Sequence, residues 1–170
     1  DSPAAHVADT LVAGAGLCHE ESVRFVVENG PSAVKWLIDQ GVQFTKENNQ
    51  QGYHLTQEGG HSHRRILHTA DATGKEVTGT LVDQVIAASN IDIFEQHCAV
   101  DLVTQADADS RKIRCTGVYL LDITAGSVSL FQSKSVILAS GGASKAYLYT
   151  SNPDGASGDG MAMAWRKGCR

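Results

Sequence analysis

The stretch Ser135-Val-Ile-Leu-Ala139 leads directly into Ser140-Gly141-Gly142. A short, continuous apolar run of this kind is typical of a strand that is buried on both faces of a parallel sheet. Ligands of open α/β sheets bind outside the carboxyl ends of such strands, where small residues leave room for them. The stretch therefore predicts a buried parallel strand whose following turn, residues 139–142, approaches a ligand.

Helices are predicted for much of the chain before this strand. Apolar residues recur at three- and four-residue steps in three short stretches of residues 1–40, and again over residues 75–88. Gly14 and Gly16 are predicted to break the first helix. Gly30 and Pro31 are predicted to end the second helix and begin the third, because proline is tolerated in a first helical turn. A short strand is predicted at residues 91–95.

The apolar period then changes to two, which is the repeat of a half-buried strand. Three such segments are joined by short stretches rich in Asp, Ser, Thr and Gly, which are typical turn residues. They predict a three-stranded antiparallel meander, with strands at residues 99–104, 114–122 and 127–132 and turns at 107–110 and 124–126.

A second glycine-rich motif follows the predicted parallel strand. Ser157-Gly-Asp159-Gly160 precedes the apolar helix start Met161-Ala-Met-Ala-Trp165. A helix N-terminus presents free N–H groups and partial positive charge, and glycines there let phosphate or sugar oxygens approach the backbone. The alternative is an ordinary N-cap with glycines in the turn, and the motif by itself leaves both interpretations open.

Length and charge limit the class of protein. The 170 residues are 42% apolar with a net charge of -5, which fits one compact soluble α/β unit and offers no basic surface to nucleic acid. The four cysteines stand singly, without the spacing of a zinc site, and fit reduced thiols. No apolar run reaches the ~20 residues that span a bilayer. Because the first residue is Asp rather than Met, an internal piece of a longer protein is expected.

The most unusual composition lies in Glu58-Gly-Gly-His61-Ser-His63-Arg64-Arg65-Ile-Leu-His68. Three imidazoles, two guanidiniums and one carboxylate share this glycine-hinged stretch, and such a crowd of cationic groups favours a bound small acid or phosphate. The histidine spacing matches no zinc signature, and the two arginines would repel a cation. A small anion is therefore predicted here, and a metal ion is not.

Taken together, the motifs resemble those of a known family. The order of the predicted elements is that of the second half of a flavin-binding domain of the two-dinucleotide-fingerprint type. The segments 58–68, 70–74, 139–145 and 157–166 closely resemble the L-aspartate oxidases. These belong to the FAD-dependent family that also holds the flavoprotein subunits of succinate dehydrogenase and fumarate reductase. Segments 9–18 and 36–41 are similar as well, so the resemblance covers nearly the whole chain.

The resemblance implies a fold and a division of the chain. The expected fold is α/β, a partial FAD-binding domain with N-terminal helices, parallel strands and the antiparallel meander. Within residues 1–170 it implies a helical segment at 1–50, a loop of the substrate and flavin site at 51–74, and the other elements at 75–170. The first Gly-x-Gly-x-x-Gly fingerprint, a capping domain and a C-terminal domain are expected outside the chain. No catalytic residue is expected inside it, since the family's catalytic arginine would lie beyond Arg170.

The resemblance also implies site residues for the cofactor FAD and for the substrate. The expected cofactor contacts are Ala139, Ser140, Gly141, Gly142, Gly158, Asp159, Gly160 and, through its backbone, Val100. Glu58 matches the family's acidic residue that orients aspartate, and a carboxylate pairs naturally with the substrate ammonium. His61, His63 and Arg64 complete the expected substrate site. For His63 and Arg64 two roles stay open, direct substrate contact and a polar network that orders the loop beneath the flavin.

The implied activity of the full-length protein is oxidation of L-aspartate to iminoaspartate in quinolinate and NAD synthesis, with fumarate or oxygen as electron acceptor. One alternative is a fumarate reductase or succinate dehydrogenase flavoprotein, from which Glu58 is the distinguishing feature. Another is that the isolated chain is a non-catalytic fragment that does not retain FAD and self-associates. Quinolinate synthase is an expected pathway partner, nucleic acid and membranes are not, and the expected location is the cytoplasm.

Overall fold

The computed structural model describes residues 1–48, 51–70, 72–106 and 113–169. Contacts divide the chain into two units, Asp1–Asp92 and Ile93–Arg170. The length of the chain predicted a single compact unit, whereas the contacts of the described residues give two. The predicted turn at residues 107–110 and the Asp71 of the family motif lie outside the described residues.

The first unit begins with helix α1, Pro3–Ala13. Ser2 caps it, because its Oγ accepts a hydrogen bond of 3.2 Å from the Ala5 N–H, and a proline at the first position fits the missing donor. The helix stops just before Gly14, as the sequence predicted. Its buried residue Val7 belongs to the core of this unit, which α1 forms with the next helix.

Helix α2 runs without interruption through Glu20–Asp39. The prediction that Gly30 and Pro31 separate two helices is wrong. Proline fixes a helical φ and removes only one donor, and two side chains here bond to helix carbonyls. Asn29 Nδ2 donates to the Phe25 carbonyl at 2.8 Å, and Ser32 Oγ donates to the Asn29 carbonyl at 2.8 Å. Neither bond reaches the Val27 carbonyl, which has no helical donor at Pro31, so the helix continues with one backbone hydrogen bond fewer.

A small antiparallel hairpin follows, formed by β1, Leu55–Thr56, and β2, Ile66–Leu67. Its register pairs Leu55 with Leu67 and Thr56 with Ile66, so residues 57–65 form the connecting loop. Helix α3, Thr73–Ala87, comes next and confirms the predicted helix at 75–88. The buried core of this unit consists of Val7, Val27, Val42 and Phe44.

The second unit contains the predicted antiparallel meander. Its strands are β3, His97–Ala106, β4, Ile113–Asp122, and β5, Ser127–Gln132, in the order β3-β4-β5. The strand predicted at residues 91–95 is wrong, since no strand is assigned there. Ile93 and Phe94 are about half exposed. Their apolar side chains therefore do not mark a strand buried in a sheet of the described chain.

The predicted parallel strand at residues 135–139 is also wrong, because these residues belong to no sheet of the described chain. A parallel strand needs hydrogen-bonded neighbours, and the sheets of the described residues are both antiparallel. Ile137 is accordingly 89% exposed. The residues that follow still form the predicted turn, and a short 3₁₀ helix, Ser144–Ala146, comes after it.

The last helix, α4, is Asp159–Arg166 and confirms the predicted helix start. It packs on β3, and the buried side chains of this unit are Leu102, Ala156 and Met163. Two ion pairs add to this contact: Asp101 lies 3.2 Å from Arg166 Nη2 and 2.9 Å from Lys167 Nζ. Strand β3 therefore fixes the end of the chain that carries the Gly-Asp-Gly motif.

Candidate functional site

The loop between β1 and β2, residues 57–65, is called the charged loop below. Gly60 has a φ of +85°, a left-handed conformation that glycine adopts without strain. The turn it makes is closed by the His61 N–H, which donates to the Glu58 carbonyl at 3.1 Å. Glu58 is exposed, and its carboxylate makes no hydrogen bond or ion pair within the described residues. The side chain is therefore available to a cationic ligand group.

Arg65 ties the charged loop to helix α1. Its Nε and Nη2 donate to the two carboxylate oxygens of Asp1 at 2.7 and 2.9 Å, and its Nη1 donates to Asp9 Oδ2 at 2.7 Å. The guanidinium side chain is only 6% exposed. A buried, bidentate arginine pair of this kind holds its partners in one geometry. The anion that neutralises Arg65 is thus supplied by the chain itself.

Asp9 receives further bonds from Ser62. The Ser62 N–H donates to Asp9 Oδ2 at 2.8 Å, and its hydroxyl donates to the same oxygen at 2.7 Å. These bonds, first the backbone one and then the hydroxyl one, hold the pKa of the Asp9 carboxyl well below its usual range, and the Arg65 guanidinium adds to the effect. Asp9 is therefore an ionised anchor for the charged loop at neutral pH.

His61 lies on the inner side of the charged loop, beside helix α1. Its ring meets the His6 ring edge-on, with the centroids 5.6 Å apart. Its Nδ1 is buried and has no hydrogen-bond partner among the described residues. Burial, and then the neighbouring Arg65 and His61, lower the pKa of His6. A neutral His6 ring is consistent with this crowded, cationic contact.

His63 and Arg64, between that anchor's serine and arginine in the charged loop, are both exposed. His63 Nδ1 lies 2.8 Å from Ser62 Oγ and 3.7 Å from Asp1 Oδ1. Arg64 Nη1 donates one long bond of 3.3 Å to the Leu55 carbonyl, which leaves its other donors to solvent or a ligand. The structure thus separates the two adjacent arginines into one anchored and one exposed guanidinium.

No three His, Cys, Asp or Glu side chains of the described residues lie close enough together to hold a metal ion. The cysteines at 18, 98, 115 and 169 are free thiols. The nearest imidazole pair, His54 Nδ1 and His68 Nε2, is joined by a hydrogen bond of 2.7 Å. These two nitrogens therefore bind each other at the base of the hairpin.

The turn 139–142 and the residues 158–160, together called the glycine turn below, meet in the second unit. The Gly158 N–H donates to the Gly142 carbonyl at 3.1 Å. A Cβ on Gly158 would lie 2.8 Å from the Ala143 Cβ, and a Cβ on Gly160 would lie 2.9 Å from the Ser140 Cβ. The two segments approach this closely only because both positions lack a side chain. An open cavity of about 530 Å³ is lined in part by Ala139, Ser140, Gly141 and Gly142.

The start of helix α4 fits a phosphate or sugar-like group. No side chain caps its N-terminus, where Gly158 is in the left-handed region, so the first N–H groups of the helix have no side-chain acceptor. Asp159 lies in the first turn and accepts a bond of 2.8 Å at Oδ2 from Ser157 Oγ. Uncapped N–H groups at a helix N-terminus are a feature that suits a pyrophosphate or a ribityl chain.

Val100 lies at an irregularity of strand β3. The register pairs Ala99 with Leu120 and Asp101 with Tyr119, which leaves Val100 as the extra residue of a β-bulge. Bulged residues keep backbone groups outside the ladder. The backbone contact expected at Val100 therefore has a physical basis, because its polar groups are not all used in pairing with β4.

The anchor of the charged loop was missed in the sequence. Asp1, Asp9, Ser62 and Arg65 were not among the expected site residues, although Arg65 was counted in the cationic cluster. One signal was present: Asp9 lies on α1 with alanines at the four-residue spacing on either side, Ala5 and Ala13. A helical carboxylate without a basic neighbour at that spacing has to find its partner elsewhere.

Comparison with known proteins gives the class. The FAD binding domain family matches residues 1–170, so the chain belongs to this family of FAD-binding domains. L-aspartate oxidase 1 of Ralstonia nicotianae is 56% identical over 171 residues, which cover 100% of this chain and 32% of that protein. L-aspartate oxidase of Pseudomonas aeruginosa is 54% identical over 176 residues, covering 100% and 33%. The resemblance found in the motifs is confirmed, and the chain spans about a third of the length of these relatives.

Solved structures agree on the fold. An Escherichia coli quinol fumarate reductase variant superposes with a TM-score of 0.87 at 26% identity, over 98% of this chain and 27% of that chain. A quinol-fumarate reductase solved with menaquinol molecules gives a TM-score of 0.85 at 27% identity, over 96% and 27%. The predicted FAD-binding fold class is thereby confirmed. None of the described helices is both long enough and apolar enough to cross a membrane.

Proposed function

We propose that this chain is part of an L-aspartate oxidase. In this proposal it carries half of the FAD site and the side chain of the substrate site that binds the amino group. The observation that carries the proposal is Glu58: an exposed carboxylate without a partner in the described residues, on a loop that Arg65 anchors to α1. An exposed carboxylate without a partner of its own is suited to an ammonium group. The relatives named L-aspartate oxidase support the same substrate.

In the proposed reaction, Glu58 pairs with the α-ammonium group of L-aspartate, and the exposed Arg64 is available to a substrate carboxylate. L-aspartate loses a hydride from its α-carbon and a proton from nitrogen, and iminoaspartate is formed. Bound FAD would supply the acceptor for this hydride, and fumarate or oxygen would re-oxidise the reduced cofactor. In this proposal the residues of this chain orient the substrate and pair with its charged groups. The catalytic arginine is expected outside this chain.

The cofactor half of the proposal rests on the glycine turn. Gly158 and Gly160 let the start of α4 pack against Ala143 and Ser140, and the uncapped N-terminus of α4 offers N–H groups to the phosphate or ribityl oxygens of FAD. Asp159 would accept hydrogen bonds from cofactor hydroxyls, and the Val100 backbone would contact the adenine. His61 and His63 would contribute to the substrate side.

A second candidate is a fumarate reductase or succinate dehydrogenase flavoprotein, which the superposition with quinol fumarate reductases favours. Dicarboxylates without an amino group have no use for Glu58. The isolated chain is a third case: with Ile137, Leu148 and Tyr149 more than four-fifths exposed, we propose that it self-associates, retains no FAD and has no activity by itself. For the full-length L-aspartate oxidase, we also propose quinolinate synthase as a pathway partner and the cytoplasm as the location.

The test is Glu58→Gln in the full-length flavoprotein. We expect the KM for L-aspartate to rise about 10- to 100-fold, because the variant loses a charge-assisted hydrogen bond to the ammonium group. Fumarate reduction by the same enzyme should change by less than about twofold, since fumarate has no amino group. Steady-state kinetics with both substrates measure this split.

Glu28→Gln is the matched control, because Glu28 is an exposed carboxylate of α2, remote in sequence from the charged loop. It should leave the kinetics of both substrates unchanged. Equal losses with L-aspartate and fumarate in Glu58→Gln would reject the ammonium role and favour the second candidate.

A further inference from the structure

Asp9 is the point where three donors of the charged loop converge. Its Oδ2 accepts from the Ser62 N–H, from Ser62 Oγ and from Arg65 Nη1 at 2.7–2.8 Å. An ionised carboxylate only accepts hydrogen bonds, so each of these groups must supply the proton. The single proton of the Ser62 hydroxyl is therefore directed at Asp9.

This assignment fixes the next bond in the chain. Ser62 Oγ also lies 2.8 Å from His63 Nδ1. Because the hydroxyl proton is already donated to Asp9, the serine oxygen accepts here, and His63 Nδ1 carries the proton. Asp1 Oδ1, 3.7 Å from the same nitrogen, favours a proton on Nδ1 as well. In the neutral ring, Nε2 is then an acceptor with a free lone pair.

We propose that Asp9 is a positioning residue that acts through Ser62 to hold His63 in its Nδ1-protonated tautomer, so that His63 Nε2 accepts a hydrogen bond from the amino group of an amino-acid substrate. The inference rests on the proposed function and extends it from Glu58 to a second amino-group contact. A neutral acceptor distinguishes a protonated amine from a dicarboxylate that has no N–H donor. Arg65 has a different part, since it holds the loop without touching His63.

The tautomer is measured by NMR of the full-length holoenzyme labelled with ¹⁵N-histidine, without substrate. A His63→Gln sample identifies the His63 resonances by their loss. The wild type should show Nδ1–H and a bare Nε2. Ser62→Ala removes the bridging hydroxyl and should shift the ring towards the Nε2–H tautomer. Ser62→Thr keeps a hydroxyl and should restore the wild-type pattern. Asp9→Ala, which removes the acceptor of the Ser62 proton, should behave as Ser62→Ala.

Kinetics give the second readout. Ser62→Ala should raise the KM for L-aspartate ~10-fold, the value of about one hydrogen bond, with fumarate reduction unchanged and with rescue in Ser62→Thr. A wild-type ring protonated on Nε2, or a Ser62→Thr enzyme as impaired as Ser62→Ala, would overturn the relay. Because the tautomer is read without substrate, a wild-type enzyme that does not oxidise L-aspartate would reject the proposed function and not the tautomer assignment.

Discussion

The charged loop and the glycine turn solve the same problem, holding a segment ready for a ligand, by opposite means. The charged loop is held by side chains: Arg65, Ser62 and Asp9 join it to α1 through ionic hydrogen bonds. The glycine turn is held by missing side chains, since Gly158 and Gly160 allow two stretches of backbone to meet.

The difference determines what each region is sensitive to. A network of charges responds to protonation and to the removal of one partner. A close backbone approach responds to the addition of a single carbon atom. The two regions therefore call for opposite kinds of mutation, deletion of side-chain atoms in the charged loop and addition of them in the glycine turn.

The largest effect is expected from Gly158→Ala. The new Cβ would lie 2.8 Å from the Ala143 Cβ, and position 158 has a φ of +83°. Left-handed strain of about 1–2 kcal/mol and overpacking of about 1–3 kcal/mol add to a loss of about 2–5 kcal/mol in the free energy of unfolding. We expect the full-length protein to lose bound FAD as well. Urea unfolding and the flavin absorbance of the purified protein measure the two effects.

Gly155→Ala is the matched control for this variant. Its new Cβ would meet no atom within 4 Å, and its φ lies outside the left-handed region. The change should alter the free energy of unfolding by at most about 1 kcal/mol, with a gain as the expected sign. Equal free energies of unfolding and equal flavin absorbance in Gly158→Ala and Gly155→Ala would show that the glycine turn does not depend on the close approach.

A smaller but clear effect is expected from Arg65→Ala compared with Arg64→Ala. Arg65 is nearly buried, and its loss leaves the carboxylates of Asp1 and Asp9 without their cation. Removing a charged partner from such bonds costs about 2 kcal/mol. Arg64 is exposed and makes one long bond, so its truncation should change the free energy of unfolding by less than about 0.5 kcal/mol.

Denaturant unfolding of the two single variants measures this difference, and the two positions share residue type and neighbourhood. Arg64→Ala should instead impair substrate binding in the full-length enzyme. An inverse result, in which Arg64→Ala unfolds more easily than Arg65→Ala, would contradict the division of the two guanidiniums into anchor and ligand contact.

Much of the fold follows from local sequence signals. The end of α1 at Gly14, helix α3, the three strands of the meander and the start of α4 were all predicted, because capping, apolar period and turn residues act within a few positions. Pro31 misled the prediction of α2, since proline keeps a helical φ and removes only one backbone donor, and the helix continues through it.

The remaining errors share one cause, which is that pairing over long distances in sequence leaves no local mark. Residues 135–139 have the composition of a buried strand, but a strand exists only with neighbours. The anchor of the charged loop joins Arg65 to Asp1 and Asp9, more than 50 positions away. The cationic cluster predicted a bound small anion, and nothing local showed that the chain itself supplies carboxylates to one of the two arginines.

The smallest expected effect is a change in the acid sensitivity of folding. The pKa of Asp9 is lowered in the folded state from an ordinary value of 3.8 by the two Ser62 bonds and by Arg65. A lowered folded pKa means that the carboxylate stabilises the fold above its unfolded pKa and that this contribution is lost as the pH falls below it. Between about pH 5 and about pH 3, the free energy of unfolding should therefore decline less steeply in Asp9→Asn than in the wild type.

Asp122 provides the comparison from the second unit. Its pKa is lowered chiefly by the Ala125 N–H and also by the Thr124 N–H, both within three residues, so the bonds belong to a local turn that forms again easily in the unfolded chain. Asp122→Asn should flatten the acid decline less than Asp9→Asn does, in urea titrations across the same pH series. Equal flattening would mean that the anchor of the charged loop is no more specific to the folded state than a turn, and the contrast between the two regions would then rest on packing alone.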